Sequence, residues 1–440
     1  RDQEPIDALK YRTDNIPTDT TDFAQVSWRQ VFTDTILQSH INDALENNQD
    51  IRIALQQIKA ANAFFKQGKA GYFPSINING EYTHQELAPN SQFGSFISSI
   101  QQIDQYELNA VLSWEADIWG KITSQERAAR ANYLQTQAAH KAVKTSLIAQ
   151  VATAYYQLLA LDQQIMITQE TVENRQNSLK VTQALKESGD VTSVAVNQTK
   201  AQLHTAEAIL IDLKNEARLL ENTLSILKGI NPQEINRASF EQIGVIQELS
   251  TGVPTQLLEN RPDVRQAEFG LRNAFQMKNV AKSQFYPSIT LTATGGLQSL
   301  DISDFISTNS LFANIISGLA QPIFNRRQLK TDLEVAKSEE QQAYLNFERT
   351  LLQASREVTD ALYNFHAAQR KYQVKQQEYQ AYQQAVDDAQ ILLQNGSINY
   401  LEVLNARENA LNTRLDLIDT RLNQLNANVE LYRSLGGGWQ

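Results

Sequence analysis

The sequence predicts a chain of mixed class. Long heptad-patterned α-helices combine with four short amphipathic strands of the transmembrane β type, laid out as two copies of one unit. Three observations predict this: a scarcity of turn residues, an internal repeat near 210 residues, and segments of strict apolar–polar alternation. The 440 residues hold only 17 Gly and 9 Pro, about 6% against the usual ~12%, so few turns separate long elements. Uncharged amides are abundant, with 49 Gln and 33 Asn. Cysteine is absent and the formal charge is −10. That excludes a disulfide scaffold, a thiolate zinc site and a cysteine nucleophile. The acidic balance argues against a nucleic-acid binder. No apolar run approaches 18 residues, so no transmembrane helix is expected. The chain starts Arg1-Asp2-Gln3-Glu4 with no signal peptide in view.

The repeat sets the domain plan. Leu45-Glu46-Asn47-Asn48-Gln49-Asp50-Ile51-Arg52 aligns with Leu258-Glu259-Asn260-Arg261-Pro262-Asp263-Val264-Arg265, and Tyr72-Phe73-Pro74-Ser75-Ile76 with Phe285-Tyr286-Pro287-Ser288-Ile289. Between residues 44 and 80, 11 of 37 positions are identical at an offset of 213. Further on, Asp117-Ile118-Trp119-Gly120-Lys121 meets Pro322-Ile323-Phe324-Asn325-Arg326, and Gly189 meets Gly396. This reads as duplication. The expected divisions are an N-terminal segment 1–33, a first repeat 34–229, a linker 230–253, a second repeat 254–435 and a tail 436–440. Within the first repeat, helices are expected near 34–70, 121–187 and 191–229, with strands near 72–86 and 103–119. The second repeat places helices near 255–284, 326–394 and 398–434, with strands near 285–299 and 310–324.

The long helices follow from heptads. Leu351, Val358, Phe365, Tyr372, Tyr379, Val386 and Leu393 are seven apart, as are Val151, Leu158, Ile165, Val172 and Leu179. The return helices carry Val196, Leu203, Leu210, Ala217 and Leu224, then Leu404, Leu411, Ile418, Leu425 and Tyr432. A period of seven packs helices side by side. No proline falls between Lys121 and Ile230 or after Ile323, so nothing forces a kink. Residues 121–187 and 326–394 are each expected to run roughly 100 Å at about 1.5 Å per residue. Heptads alone favour a soluble helical rod.

The strands decide against the rod. Tyr106, Leu108, Ala110, Leu112, Trp114, Ala116 and Ile118 share one face, and the other is polar apart from Val111. Ile76, Ile78 and Tyr82 alternate with Asn77, Asn79, Glu81 and Thr83, and Ile289, Leu291, Ala293 and Leu297 with Thr290, Thr292, Thr294 and Gln298. In the fourth segment Leu311, Ala313, Ile315 and Leu319 mark one face less cleanly. About ten residues of such alternation mark a transmembrane β-barrel. A half-buried sheet over a soluble core is the competing reading, but the helices leave no spare amphipathic layer to cover it. Four strands cannot close a barrel, and open edges in lipid are costly. The chain is therefore expected to oligomerise and pool its strands.

The sequence resembles the outer-membrane efflux proteins of the TolC-like superfamily, and more closely their lipoprotein branch serving resistance–nodulation–division pumps. The resemblance runs from about Trp28 to Gly436. It is most specific in Gly252-Val253-Pro254-Thr255-Gln256-Leu257-Leu258-Glu259-Asn260-Arg261-Pro262-Asp263-Val264-Arg265-Gln266-Ala267-Glu268. Ser113-Trp114-Glu115-Ala116-Asp117-Ile118-Trp119-Gly120-Lys121, Tyr286-Pro287-Ser288-Ile289 and Gln321-Pro322-Ile323-Phe324-Asn325 resemble the family's strand ends. The resemblance implies a homotrimer whose four strands per chain form a 12-stranded barrel. A periplasmic α-helical barrel continues it, with a small mixed equatorial region. It implies a passive outer-membrane duct working with a periplasmic adaptor and an inner-membrane pump; from the residues themselves no cofactor, metal or nucleic-acid partner is expected. It also implies an acylated residue just before Arg1. Pro254, Arg261, Pro262, Asp263 and Arg265 are expected to be structural, since Pro262 and Asp263 suit a first helical turn.

The helix hairpins turn at Gly189-Asp190 and Gly396-Ser397, where glycine supplies the conformation others resist. By the resemblance these tips form the periplasmic entrance and meet the adaptor. Family members often carry acidic residues past the second tip. Here the second acid falls on Asn405, so Glu402 is the candidate for a cation-attracting ring of three carboxylates, with Asn399 and Asn405 beside it. An enzyme is disfavoured: His40, His84, His140, His204 and His366 are scattered, and no nucleophile elbow or phosphate loop is present. A soluble coiled-coil scaffold leaves the alternating segments unexplained, and a channel for type I protein secretion is the nearer alternative. Gly436-Gly437-Gly438 reads as a flexible tail. Only Met166 and Met277 are present, which gives no hint of a soft-metal pathway.

Overall fold

The computed structural model describes residues 26–88, 102–244 and 260–439. Pro254 and the first 25 residues lie outside them. Eight helices and four strands follow in order among the described residues. They are α1 (Trp28–Val31), α2 (Thr35–Asn47), α3 (Gln49–Ala70), β1 (Ser75–Glu86), β2 (Gln102–Glu115), α4 (Lys121–Glu187), α5 (Ser193–Leu227), α6 (Pro262–Ser283), β3 (Ser288–Ser299), β4 (Leu311–Ala320), α7 (Gln328–Gln394) and α8 (Tyr400–Ser434). They form two compact units, one of residues 58–136 and 267–347, the other of 1–57, 137–266 and 348–440.

The first of these units carries one antiparallel sheet in the order β1-β2-β3-β4. Its register lays the four alternations over one another. Ile76 lies opposite Leu112, Ile78 opposite Ala110 and Tyr82 opposite Tyr106. Leu108 meets Leu297, Leu112 meets Ala293 and Trp114 meets Leu291. Ile289 meets Leu319 and Ala293 meets Ile315. One face is thus apolar across all four strands, and it is bare: Ile78, Ile315 and Leu319 are 76%, 73% and 70% exposed. The register settles the ambiguous fourth segment, where Ser317 interrupts the apolar row and Phe312 and Ile316 sit on the polar side. Because the side-chain period is two, a one-residue slip would turn a whole row over. Glycine makes one closeness possible: any Cβ on Gly296 would overlap the Leu108 carbonyl oxygen on β2.

The second unit is helical, and its packing differs from the sequence expectation in three places. The helix expected over 34–70 is two helices, broken at Asn48. There the Asn48 Oδ1 accepts from the Asp50 N–H (2.9 Å) and Ile51 N–H (3.3 Å), which caps α3. The helix expected over 255–284 is likewise interrupted at Arg261, and α6 starts on Pro262. The tail is no loose end. Gly436 and Gly438, at φ +93° and +104°, turn the chain back, and the Trp439 Nε1–H donates to the Asn260 carbonyl at 3.0 Å. The Lys141 ammonium covers the Trp439 ring at 3.7 Å from its centroid.

Around the linker, residues 230–244 are clamped by polar groups. Tyr155 donates to Asp34 Oδ2 (2.6 Å) and accepts from the Ala238 N–H (3.0 Å). Arg237 bridges Asp162 on α4 and Glu221 on α5. His40 is buried between the Asn236 carbonyl (2.7 Å) and the Lys228 ammonium (3.0 Å). Burial and that ammonium hold its imidazole neutral, below its ordinary pKa.

Gly296→Val should lower the stability of the sheet by about 1–3 kcal/mol by forcing β3 off β2. Gly295→Val is the control, since a Cβ there meets only the Phe312 carbonyl at 3.6 Å. Denaturant unfolding of the membrane-inserted protein checks this. Equal effects of the two would mean that the β2–β3 approach is not limiting.

Candidate functional site: the hairpin tips and the helix junctions behind them

The two tips are built alike. At the end of α4 the Asp190 N–H donates to the Leu185 carbonyl and the Gly189 N–H to Lys186; at the end of α7 Ser397 donates to Leu392 and Gly396 to Leu393. This double closure is the glycine-dependent helix stop, and Gly189 and Gly396 have φ of +88° and +68°. No atom lies within 4 Å of a Cβ placed on either one, so backbone conformation, not crowding, calls for glycine. Asp190 accepts from the Ser188 hydroxyl at 2.7 Å. Gly189, Asp190, Gly396 and Ser397 are all exposed.

The gate candidates lie just past the second tip. Asn399 is the N-cap of α8, and its Oδ1 accepts from the Glu402 N–H at 3.2 Å. Glu402 is therefore a first-turn residue whose charge suits the helix N-terminus. Its side chain and that of Asn405 are both exposed, one turn apart.

Behind the tips, α4 and α8 are joined by a row of polar contacts that sequence inspection missed. Gln164 donates to Asp419 (2.7 Å), Arg414 pairs with Glu170 (3.3 Å), Arg175 pairs with Glu408, and Arg407 donates to Ser178 (3.2 Å). Residue numbers rise on α4 as they fall on α8, so the row is an antiparallel zipper between the two repeats. Arg175 also donates to the Gln202 carbonyl on α5, which ties three helices at one guanidinium. Burial pushes the Asp419 carboxyl above its ordinary range. A groove lined by Tyr379, Val386, Leu404 and the same arginines runs beside the row.

The signature residues assemble a second junction. Arg261, 4% exposed, donates to Asp263 (2.6 and 3.0 Å), Glu357 (2.9 Å) and the Ser434 carbonyl (2.9 Å) at the end of α8. Burial alone would raise the Asp263 carboxyl. The Arg261 guanidinium and the Val264 N–H outweigh it and hold Asp263 below the usual range. Pro262 is buried in the first turn of α6, and Arg265 is exposed on the next. The first repeat does the same with a shorter side chain: Asn48, the counterpart of Arg261, donates to the Leu227 carbonyl at the end of α5 (2.9 Å). Gly229 and Gly436 then lie so close to the Asn47 and Asn260 carbonyls that neither could carry a Cβ.

The sequence model described as outer membrane efflux protein matches residues 40–229 and 253–437. The chain belongs to the outer membrane efflux protein family. It is 28% identical to the cation efflux system protein CusC of Escherichia coli over 423 residues, 95% of this chain and 89% of that one. It is 30% identical over 433 residues to a probable efflux pump outer membrane protein, TtgC, of Pseudomonas putida, 96% of this chain and 88% of that one. Among solved structures, the CusC channel superposes with a TM-score of 0.85 at 26% identity, covering 97% of this chain and 99% of that chain. The outer-membrane channel OprN superposes with a TM-score of 0.90 at 23% identity over 100% and 99% of the two chains. The fold is thus that of the TolC-like channels, and this efflux protein is placed in the bacterial outer membrane. No helix among its described residues is long and apolar enough to cross a membrane.

Arg261→Leu should cost about 3–5 kcal/mol, the usual loss when one partner of a buried ion pair is removed, read as a shift in denaturant midpoint. The Asp263 contribution is present above the ordinary carboxylate pKa of about 4 and is lost as pH falls through its lower folded value. Asp263→Asn should therefore destabilise at pH 7 and flatten the acid limb of the stability profile. An unchanged acid limb would remove Asp263 from the account.

Proposed function

We propose that this chain is the passive exit duct of a tripartite efflux system. Three copies pool four strands each into one 12-stranded barrel, and the hairpin tips form a periplasmic gate that an adaptor and an inner-membrane pump open. The observation that carries this reading is the four-stranded sheet with one bare apolar face and two edges that no described strand pairs. A lipid-facing sheet satisfies its outermost N–H and C=O groups only by closing on further strands. The polar face then lines the duct with Asn77, Asn79, Glu81, Glu107, Asn109 and the threonines of β3.

The gate in this reading is electrostatic and mechanical. Three Glu402 side chains, one per chain, favour cations at the constriction. The α4–α8 zipper holds each tip against its own second repeat. Opening exchanges Arg175–Glu408 and Arg407–Ser178 for contacts with a partner, a two-state bias that binding energy supplies. The relatives' names range over cations, antibiotics and toluene, so cargo is not assigned from likeness. Selection of cargo falls to the pump.

Planar-bilayer recording of the reconstituted protein tests both parts. Arg175→Ala with Arg407→Ala should raise resting conductance several-fold, and Glu402→Gln should reduce cation over anion permeability by about twofold or more. Conductance that both changes leave untouched would place the constriction elsewhere.

A further inference from the structure

The strand–helix junctions carry a pattern that the duct does not use. The register pairs Ser75 with Ser113, Glu115 with Thr290 and Ser288 with Ala320, which brings all four junctions to one end of the sheet. Each carries an exposed aromatic residue within four positions of a basic one. Lys69 precedes Phe73 by four residues, and Lys282 precedes Tyr286 by four. Trp119 precedes Lys121 by two, and Phe324 precedes Arg326 by two. Duplication has kept the pairs at the same spacing although only Lys69 and Lys282 are identical. The rings stand open, with Phe73 74% and Phe324 87% exposed, flanked by Ile118 and Ile323 at 57% and 90%. Ile118 and Ile323 keep the parity of the apolar rows of β2 and β4. Trp119 is fixed by stacking on Tyr286 at 4.8 Å and by donating its Nε1–H to the Pro287 carbonyl.

The charges at this end are unevenly matched. Glu115 is taken by Lys121 (2.9 Å) and Glu334 by Arg327 (3.0 Å). Asp117 accepts from the Ile122 and Thr123 N–H groups. Lys69 lies over the Phe65 ring. Arg326 has no hydrogen bond or ion pair among the described residues. It and Arg327 also stand at φ +55° and +69°, a left-handed conformation costly for residues with a Cβ. Two consecutive exposed arginines thus stand at the end of the sheet, Arg327 paired with Glu334 and Arg326 without a carboxylate partner.

We propose that this belt of aromatic–cation pairs is a phospholipid-headgroup site. The rings sit at the level of the glycerol region, and Arg326, Arg327, Lys69 and Lys282 take up anionic headgroup phosphates of the leaflet on the helical side. Amphipathic rings settle at that depth, long basic side chains reach from apolar surface to the charged layer, and a planar guanidinium matches phosphate oxygens. The inference rests on the membrane-spanning reading of the sheet.

Electron spin resonance of the full chain in phosphatidylcholine vesicles, with spin-labelled phosphatidylglycerol or spin-labelled phosphatidylcholine as probe, tests it. At physiological salt the parent protein should hold the glycerol lipid about threefold more strongly. Arg326→Gln with Arg327→Gln should bring the ratio near one, and Arg326→Lys with Arg327→Lys should keep most of it. Circular dichroism confirms that each variant retains its fold. Equal association of both lipids with the parent, or an undiminished ratio in the glutamine variant, overturns the proposal. Loss of the preference on adding inorganic phosphate alone overturns it too, because the site would then serve a free anion. A protein that neither floats with vesicles nor immobilises any lipid contradicts the membrane reading itself, a separate failure.

Discussion

Backbone pairing in lipid is the constraint on which the rest of this molecule depends. Each peptide group left unpaired in hydrocarbon costs several kcal/mol, so the outer edges of β1 and β4 cannot stay open there. The sheet has the length to span, with strands of 12, 14, 12 and 10 residues. Its apolar rows coincide across all four strands, so a single chain presents a complete lipid face without a closed ring. Assembly is then the step that makes the spanning structure viable, and the alternation in each strand selects the face on which closure occurs.

The same economy appears where the repeats were joined. In each half a return helix ends on a glycine that packs against the carbonyl of an asparagine, Gly229 on Asn47 and Gly436 on Asn260. The next residue, Asn48 or Arg261, donates to the last carbonyls of that helix. The geometry is duplicated and the chemistry has diverged. Asn48 satisfies one carbonyl and caps α3, whereas Arg261 also gathers Asp263 and Glu357. A buried guanidinium needs its carboxylates, which explains why the second half carries an ion-pair hub where the first carries only an amide.

What the sequence disclosed was what repeats at short period. Strand faces follow from alternation of two, and Tyr106 through Trp114 show it without ambiguity. The long helices follow from heptads, and the tips from glycines that interrupt them. The breaks at Asn48 and Arg261 were hidden because a polar residue in a helical pattern reads as solvent face, and only contact with Leu227 or Ser434 reveals it as buried. The α4–α8 zipper joins Arg175 to Glu408 and Arg414 to Glu170 across more than 230 residues, and no local spacing encodes such a pair. The tail misled for a different reason: three glycines suggest freedom, yet the left-handed conformations of Gly436 and Gly438 are what carry Trp439 back onto Asn260.

The amide-rich composition follows from these surfaces. Unit cores of ordinary proteins bury one face of each helix and leave the other wet. A helix in a hollow assembly has a lumen side, an outer side and neighbours on both flanks, so its apolar stripe must stay narrow. Long heptad rows flanked by Gln and Asn meet that demand without building up charge, because amides hydrate well yet do not repel across a narrow passage. Two buried or half-buried arginines tie the helices together: Arg237 closes the linker onto Asp162 and Glu221, and Arg175 ties α4, α5 and α8. At the foot of the sheet the exposed Arg326 has no ion pair among the described residues. In a chain of net charge −10, a guanidinium left without a carboxylate near the exposed Phe324 ring fits the anionic surface proposed for this end of the sheet.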